Sequence, residues 1–244
     1  MPEKKVCLVV GAGDGTGAAI AEKFAREGYA TCVVRRERHL DKLDALVEKI
    51  HRQGGEAHGF GIDARNEEQV VQLFNAIESD VGQLEVVVFN IGANVWFPIT
   101  ETTSRVFQKV WELACFAGFL AGREAAARMA PRKQGSIFFT GATASIRGGS
   151  HFAAFASAKN GLRALAQSMA RELGPQGIHV AHLVIDGAID TPWIRETFPD
   201  KFDGSRVDNV LNPEDIADAY WMLHQQKRSA WTHELDLRPW VEKW

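Results

Sequence analysis

The chain has 244 residues, of which 45% are hydrophobic and 24% charged, and it carries a formal net charge of -3. That length and composition support one folded domain with a large core, not a disordered chain. The mildly acidic balance gives no basic field for nucleic acid or anionic lipid, and no apolar run reaches the roughly 18 residues expected of a membrane span.

Short apolar runs alternate with amphipathic segments from end to end. Residues 6–10 form an apolar run of strand length, and 15–28 read as a helix with Ala18, Ile20, Ala21 and Phe24 on one side. A strand is predicted at 30–34, then a helix at 40–52 with Leu43, Leu46, Val47 and Ile50 at helical spacing. A third strand follows at 56–62, a helix at 67–80, and a fourth strand at 84–89 whose unbroken apolar centre suits a strand covered on both faces. The second half predicts a long helix at 103–129, a strand at 136–140, a helix at 153–173 stopped by Gly174-Pro175, and a strand at 178–185. A helix opening on Pro213 spans 213–223, and an alternating strand closes the pattern at 231–237. Alternation of this kind predicts a single α/β domain over 1–244, a Rossmann-type doubly wound parallel sheet of about seven strands with helices on both faces. The irregular stretch 195–211 is expected to be a lid over a pocket, and the tail 238–244, with Trp240 and Trp244, a subunit contact.

Cys7, Cys32 and Cys115 form no CxxC pair, and no apolar leader precedes the first strand, so a reducing, cytoplasmic setting is expected. No cluster suggests a metal site.

The first strand runs into Gly-Ala-Gly-Asp-Gly-Thr-Gly, with Gly11, Gly15, Thr16 and Gly17 at the strand-to-helix turn. Glycines there let the backbone approach a pyrophosphate, and the helix N-terminus supplies free N–H groups and partial positive charge. A loop of this kind between strand and helix marks a dinucleotide site. At the end of the second strand stand Arg35 and Arg36, where dinucleotide folds selecting NAD carry an acid. A guanidinium pair suits a 2′-phosphate, which points to NADP, with NAD the other possibility. Asp14 within the loop argues against a phosphate nearby, and the arginines could also be solvated loop charges.

Further motifs, in order, make the chain similar to the short-chain dehydrogenase/reductase family from about Lys5 to about Leu237. Asp63 follows the third strand at the family's adenine-binding Asp. Phe89-Asn90-Ile91-Gly92 resembles the family's Asn-Asn-Ala-Gly, and Lys159 lies in the long helix after the fifth strand. Asp186-Gly187-Ala188-Ile189-Asp190-Thr191 resembles Pro-Gly-x-Val-x-Thr, with Asp in place of Pro. The resemblance implies cofactor contacts at Asp63, Asn90, Gly92, Lys159, Gly187, Ile189 and Thr191, a small-molecule substrate, and a homodimer or homotetramer.

The same resemblance fails at the reacting centre. The family moves hydride with an Asn-Ser-Tyr-Lys tetrad, and here Cys115, Ala142 and Phe155 stand at the first three positions, leaving Lys159. A general acid is worth roughly 10²–10⁴ in rate and an oxyanion donor roughly 10²–10³, and neither Ala142 nor Phe155 supplies one. His151 is the candidate replacement donor: with Phe155 and Lys159 it falls at i, i+4 and i+8, one face if all three are helical, although a turn rises about 5.4 Å. Thr140, Thr143 and Ser145 are further hydroxyls near Ala142, and Cys115 reads as a small apolar filler. Trp96, Phe97, Trp193 and Phe198 lie in segments expected to approach an apolar or aromatic substrate, or to serve as core and lid packing. The resulting expectation is an NAD(P)-dependent oxidoreductase acting on a carbonyl or alcohol by a non-standard tetrad. The alternatives are a catalytically silent nucleotide-binding or oligomer subunit, and non-redox chemistry on the same scaffold.

Overall fold

The computed structural model describes residues 4–197 and 209–243. Seven parallel strands form one sheet in the order β3-β2-β1-β4-β5-β6-β7. They are β1 (Lys5–Val10), β2 (Ala30–Arg35), β3 (Glu56–Gly61), β4 (Gln83–Phe89), β5 (Gly135–Thr140), β6 (Ile178–Ile185) and β7 (Glu234–Leu237). The helices are α1 (Thr16–Arg26), α2 (Leu40–Arg52), α3 (Glu67–Ala76), α4 (Ser104–Trp111), α5 (Ala117–Met129), α6 (Ala153–Leu173), α7 (Pro192–Thr197) and α8 (Pro213–His224).

Alternation along the strands splits the core into two layers. Val6, Leu8, Val10, Val87 and Phe89 face one side, with Phe74, Leu120, Met129 and Leu162 from α3, α5 and α6. Cys7, Val9, Val86 and Val88 face the other, with Ile20, Phe24, Leu43, Ile50 and Tyr220 from α1, α2 and α8. Parallel strands need such double cover, because their crossover helices lie on both faces. Local chemistry starts the helices: Asn66, Thr103 and Asn212 each accept a backbone N–H at an N-cap, and Pro213 follows the last.

The structure differs from the sequence expectation in three places. The helix expected at 103–129 passes through a widened turn at Glu112–Phe116, where the Ala117 N–H reaches back five residues to the Glu112 carbonyl. Helix α7 occupies the start of the expected lid, opened by Pro192 and by the Thr191 hydroxyl, which accepts the Ile194 N–H at 3.3 Å. Residues 198–208 of that lid, Phe198 among them, lie outside the described residues, as does Trp244. Helix α6 begins at Ala153, so His151 sits in the preceding turn with φ +68° and does not share the α6 face with Phe155 and Lys159.

The order reverses between β1 and β4, and in open α/β sheets ligands bind at the carboxyl ends of the strands at that switch. Phe139 of β5 is fully buried and packs near Phe89, with ring centroids 6.4 Å apart. Replacing Phe139 with Ala is expected to destabilise the fold by about 3–5 kcal/mol, read from the urea midpoint at unchanged m-value.

Candidate active site

A cavity of about 830 Å³ opens at the carboxyl ends of the strands, running from Gly11–Gly17 and Arg35–Arg36 past Asn90–Asn94 to Thr140–Ala144, Phe155 and Lys159. The glycine loop forms its first wall. Gly11 has φ +99°, and a Cβ on Gly17 would lie 2.4 Å from the Gly11 carbonyl oxygen and 2.8 Å from the Ala12 Cα. The loop therefore folds back on its own backbone, and Asn90 fastens it by donating Nδ2–H to the Gly11 carbonyl at 3.0 Å. Gly13, which also lines the cavity, has open space where a side chain would be. Helix α1 begins beside it with no side-chain cap and no acid in its first turn. Free amides, positive dipole and an open glycine cradle fit a pyrophosphate.

The end of β2 is cationic. Arg35, Arg36 and His39 line the cavity. Burial opposes ionisation of Asp14, but hydrogen bonds from Lys42 at 2.9 Å and Arg35 at 2.6 Å outweigh it and lower its pKa. Asp14 is thus matched by two cations, one of them Arg35. Asp63 lines the cavity with its carboxylate held by Arg65, whose hydrogen bonds lower its pKa, and its backbone N–H donates to Gln69. Gly92, Gly187, Ile189 and Thr191 complete the expected set along the wall, and Thr191 packs against Gly15, where a Cβ would meet its Cγ2 at 2.7 Å.

At the other end the hydroxyls are already engaged. Ser145 is fully buried and accepts the Ala142 N–H at 3.0 Å. Thr140 shares a 2.6 Å hydrogen bond with the Tyr220 hydroxyl, and Thr143 donates at 2.6 Å to Asp186. Ala142 and Phe155 line the cavity and offer no donor. Lys159 is 2% exposed and donates to the backbone carbonyls of Ile91 at 3.0 Å and Thr140 at 2.8 Å. Burial drives its pKa down to about 7, against an opposing pull from the Cys115 thiol.

Cys115 is not part of the cavity wall. It is buried against Gly161 of α6, where a Cβ would meet its Sγ at 2.9 Å, and burial raises its pKa. His151 is also off the wall, with its ring 4.5 Å from that of Trp96. Trp96 and Phe97 are exposed rather than lining, and among the described residues the aromatic walls are Phe152 and Phe155, the Trp193 side chain lying outside them. Arg147 lines the cavity and is tied to Asp186, a pairing the sequence reading missed. Only the Asp at the family's Pro position hinted at it.

The family model described as short chain dehydrogenase matches residues 5–201. The chain belongs to the short-chain dehydrogenase family. Among solved structures, a short-chain dehydrogenase from Rhodopseudomonas palustris is 52% identical, with TM-score 0.83, covering 98% of this chain and 100% of that one. A metagenomic short-chain oxidoreductase in complex with NADP is 25% identical, with TM-score 0.82 and 98% of each chain covered. The 2-dehydro-3-deoxy-D-gluconate 5-dehydrogenase of Formosa agariphila is 29% identical over 72% of this chain and 66% of its own length.

Two outcomes follow from this family member's site. Gly17→Ala forces its loop off the Gly11 and Ala12 backbone, so calorimetry should show NADPH affinity reduced at least about tenfold, with far-UV dichroism unchanged. Lys159 has a native pKa depressed to about 7. Above that pH the unfolded chain holds a proton that the native lysine has released, until about pH 10.4. Its contribution to stability therefore improves as pH rises through this window. Urea unfolding at pH 7 and pH 9 should show wild type gaining on Lys159→Met.

Proposed function

We propose that this oxidoreductase uses NADP to interconvert a carbonyl and an alcohol on a small apolar or aromatic molecule. The observation that carries the reading is one continuous cavity joining the bare glycine loop and the arginines of β2 to the wall of Phe152, Phe155 and Lys159. The amides at Gly15, Thr16 and Gly17 would hold the pyrophosphate, Arg35 and Arg36 the 2′-phosphate, and Asp63 the adenine. Ile189 and Thr191 would hold the nicotinamide amide. The reduced nicotinamide supplies hydride when bound. Phe152, Phe155 and Leu113 give the reacting end an apolar lining that keeps water from competing with substrate. Lys159 holds the ends of β4 and β5 together beneath it.

The bound NADP of the metagenomic relative supports the cofactor choice. The exposed aromatics Phe107, Trp111 and Phe119 on α4 and α5 support a homodimer or homotetramer built on that face. Free buried thiols at Cys7, Cys32 and Cys115 suit a cytoplasmic setting, and among the described residues no helix is long and apolar enough to cross a membrane.

Calorimetry with NADPH and NADH tests the reading. NADPH should bind at least about tenfold more tightly, and Arg36→Asp should erase that preference while leaving NADH affinity within about threefold. Equal affinities in the unmodified chain would refute the NADP assignment.

A further inference from the structure

Asp186 follows the last residue of β6 and is fully buried. Its carboxylate accepts the Thr143 hydroxyl at 2.6 Å and both oxygens take Arg147 Nη2, at 3.0 and 3.1 Å. Arg238 Nη2 lies 3.7 Å away. Removing a carboxylate from water costs several kcal/mol unless it is matched by charge and hydrogen bonds. Here the matching cation on the cavity side is Arg147, whose side chain is 41% exposed and lines the same cavity as Ala142, Thr143 and Phe155.

The guanidinium has five N–H donors in a planar fork. Arg147 uses Nη2 on Asp186, and among the described residues its Nε and Nη1 bond to nothing. The nearby alternatives are engaged or buried. Thr143 gives its proton to Asp186, Thr140 is paired with Tyr220, Ser145 is fully buried off the wall, and Lys159 is turned to two carbonyls. A developing alkoxide needs a fixed donor, and Arg147 is the charged donor present where the family's hydroxyls are missing.

Resting on the oxidoreductase reading above, we propose that Arg147, positioned by Asp186, donates hydrogen bonds to the oxygen of the carbonyl under reduction. As hydride forms the new C–H bond, the C=O π pair becomes a lone pair on oxygen, held by the guanidinium. That oxygen then takes a proton from solvent water, leaving hydroxide in solution. The carbonyl is reduced, the dihydronicotinamide is oxidised, and Arg147 remains protonated throughout. Asp186 is a positioning residue: it fixes the fork and never meets the substrate.

The test uses benzoate as an aromatic oxyanion probe, titrated by calorimetry into the full chain saturated with NADP. Benzoate should bind the unmodified chain, bind Arg147→Met at least about tenfold more weakly, and bind Arg147→Lys in between. With a panel of aromatic aldehydes and NADPH, Arg147→Met should lose about 10²–10³ in kcat, with KM little changed and partial recovery in Arg147→Lys. Asp186→Asn should lower kcat less than Arg147→Met, and added guanidinium should restore turnover only to an Arg147→Ala variant. NADPH titration of each variant gives the control. If NADPH binds normally while Arg147→Met holds benzoate as well as the unmodified chain, or the unmodified chain binds no benzoate, the proposal alone falls. If the unmodified chain binds no NADPH, the cofactor reading falls and the proposal with it.

Discussion

The buried ammonium of Lys159 ties the site together. It reaches from α6 to the carbonyl that follows β4 and to the last carbonyl of β5. Those two carbonyls sit where the strands stop pairing, so their unmet acceptors need a donor. An amine at 2% exposure, with its pKa held down near 7 by burial, is a costly donor. The geometry it enforces is the return: the Asn90–Asn94 segment and the Thr140–Ala144 segment are kept at one depth as opposite lips of a cavity. Asn90 extends the same bracing to the glycine loop through Gly11.

Around that anchor, polar groups have been traded between positions. The hydroxyls near Ala142 face inward and satisfy the protein itself, in Tyr220, Asp186 and the Ala142 amide. A carboxylate stands in their midst at Asp186, and it draws Arg147 to the wall. Behind the floor, His182 is fully buried, its Nε2 without a partner beside Gly141, while its Nδ1 lies 3.1 Å from Glu234. Burial pushes that imidazole down to about 4, so it is neutral and serves as packing under the lip. The result is one cavity with bare backbone at its glycine-loop end and with Arg147, Phe152 and Phe155 among the residues lining the rest.

The glycine turn was legible in the sequence because its requirement is local. Gly11, Gly13, Gly15 and Gly17 lie within one turn between a strand and a helix, and bare backbone is what a pyrophosphate demands. The strands were legible too, since double burial leaves unbroken apolar runs such as Val86-Val87-Val88. His151 was misplaced for a local reason of the opposite kind. Spacing alone put it on the α6 face, but its backbone turns left-handed two residues before the helix starts. Trp96 and Phe97 were expected to approach the substrate, yet they stay exposed near His151.

Sequence alone determined the fold class and the absence of hydroxyls at Ala142 and Phe155. Both depend on residue type or on spacing within a few turns of chain. Tertiary structure alone decided which polar groups are spent and which stand ready. Arg147 and Asp186 are 39 residues apart, and Arg163 and Glu234 are 71 apart, so their pairing exists only once β5, β6, β7 and α6 are packed. Hydrogen bonds and ion pairs of that range are set by where strand ends meet, and periodicity along a chain carries no record of which ends will be neighbours.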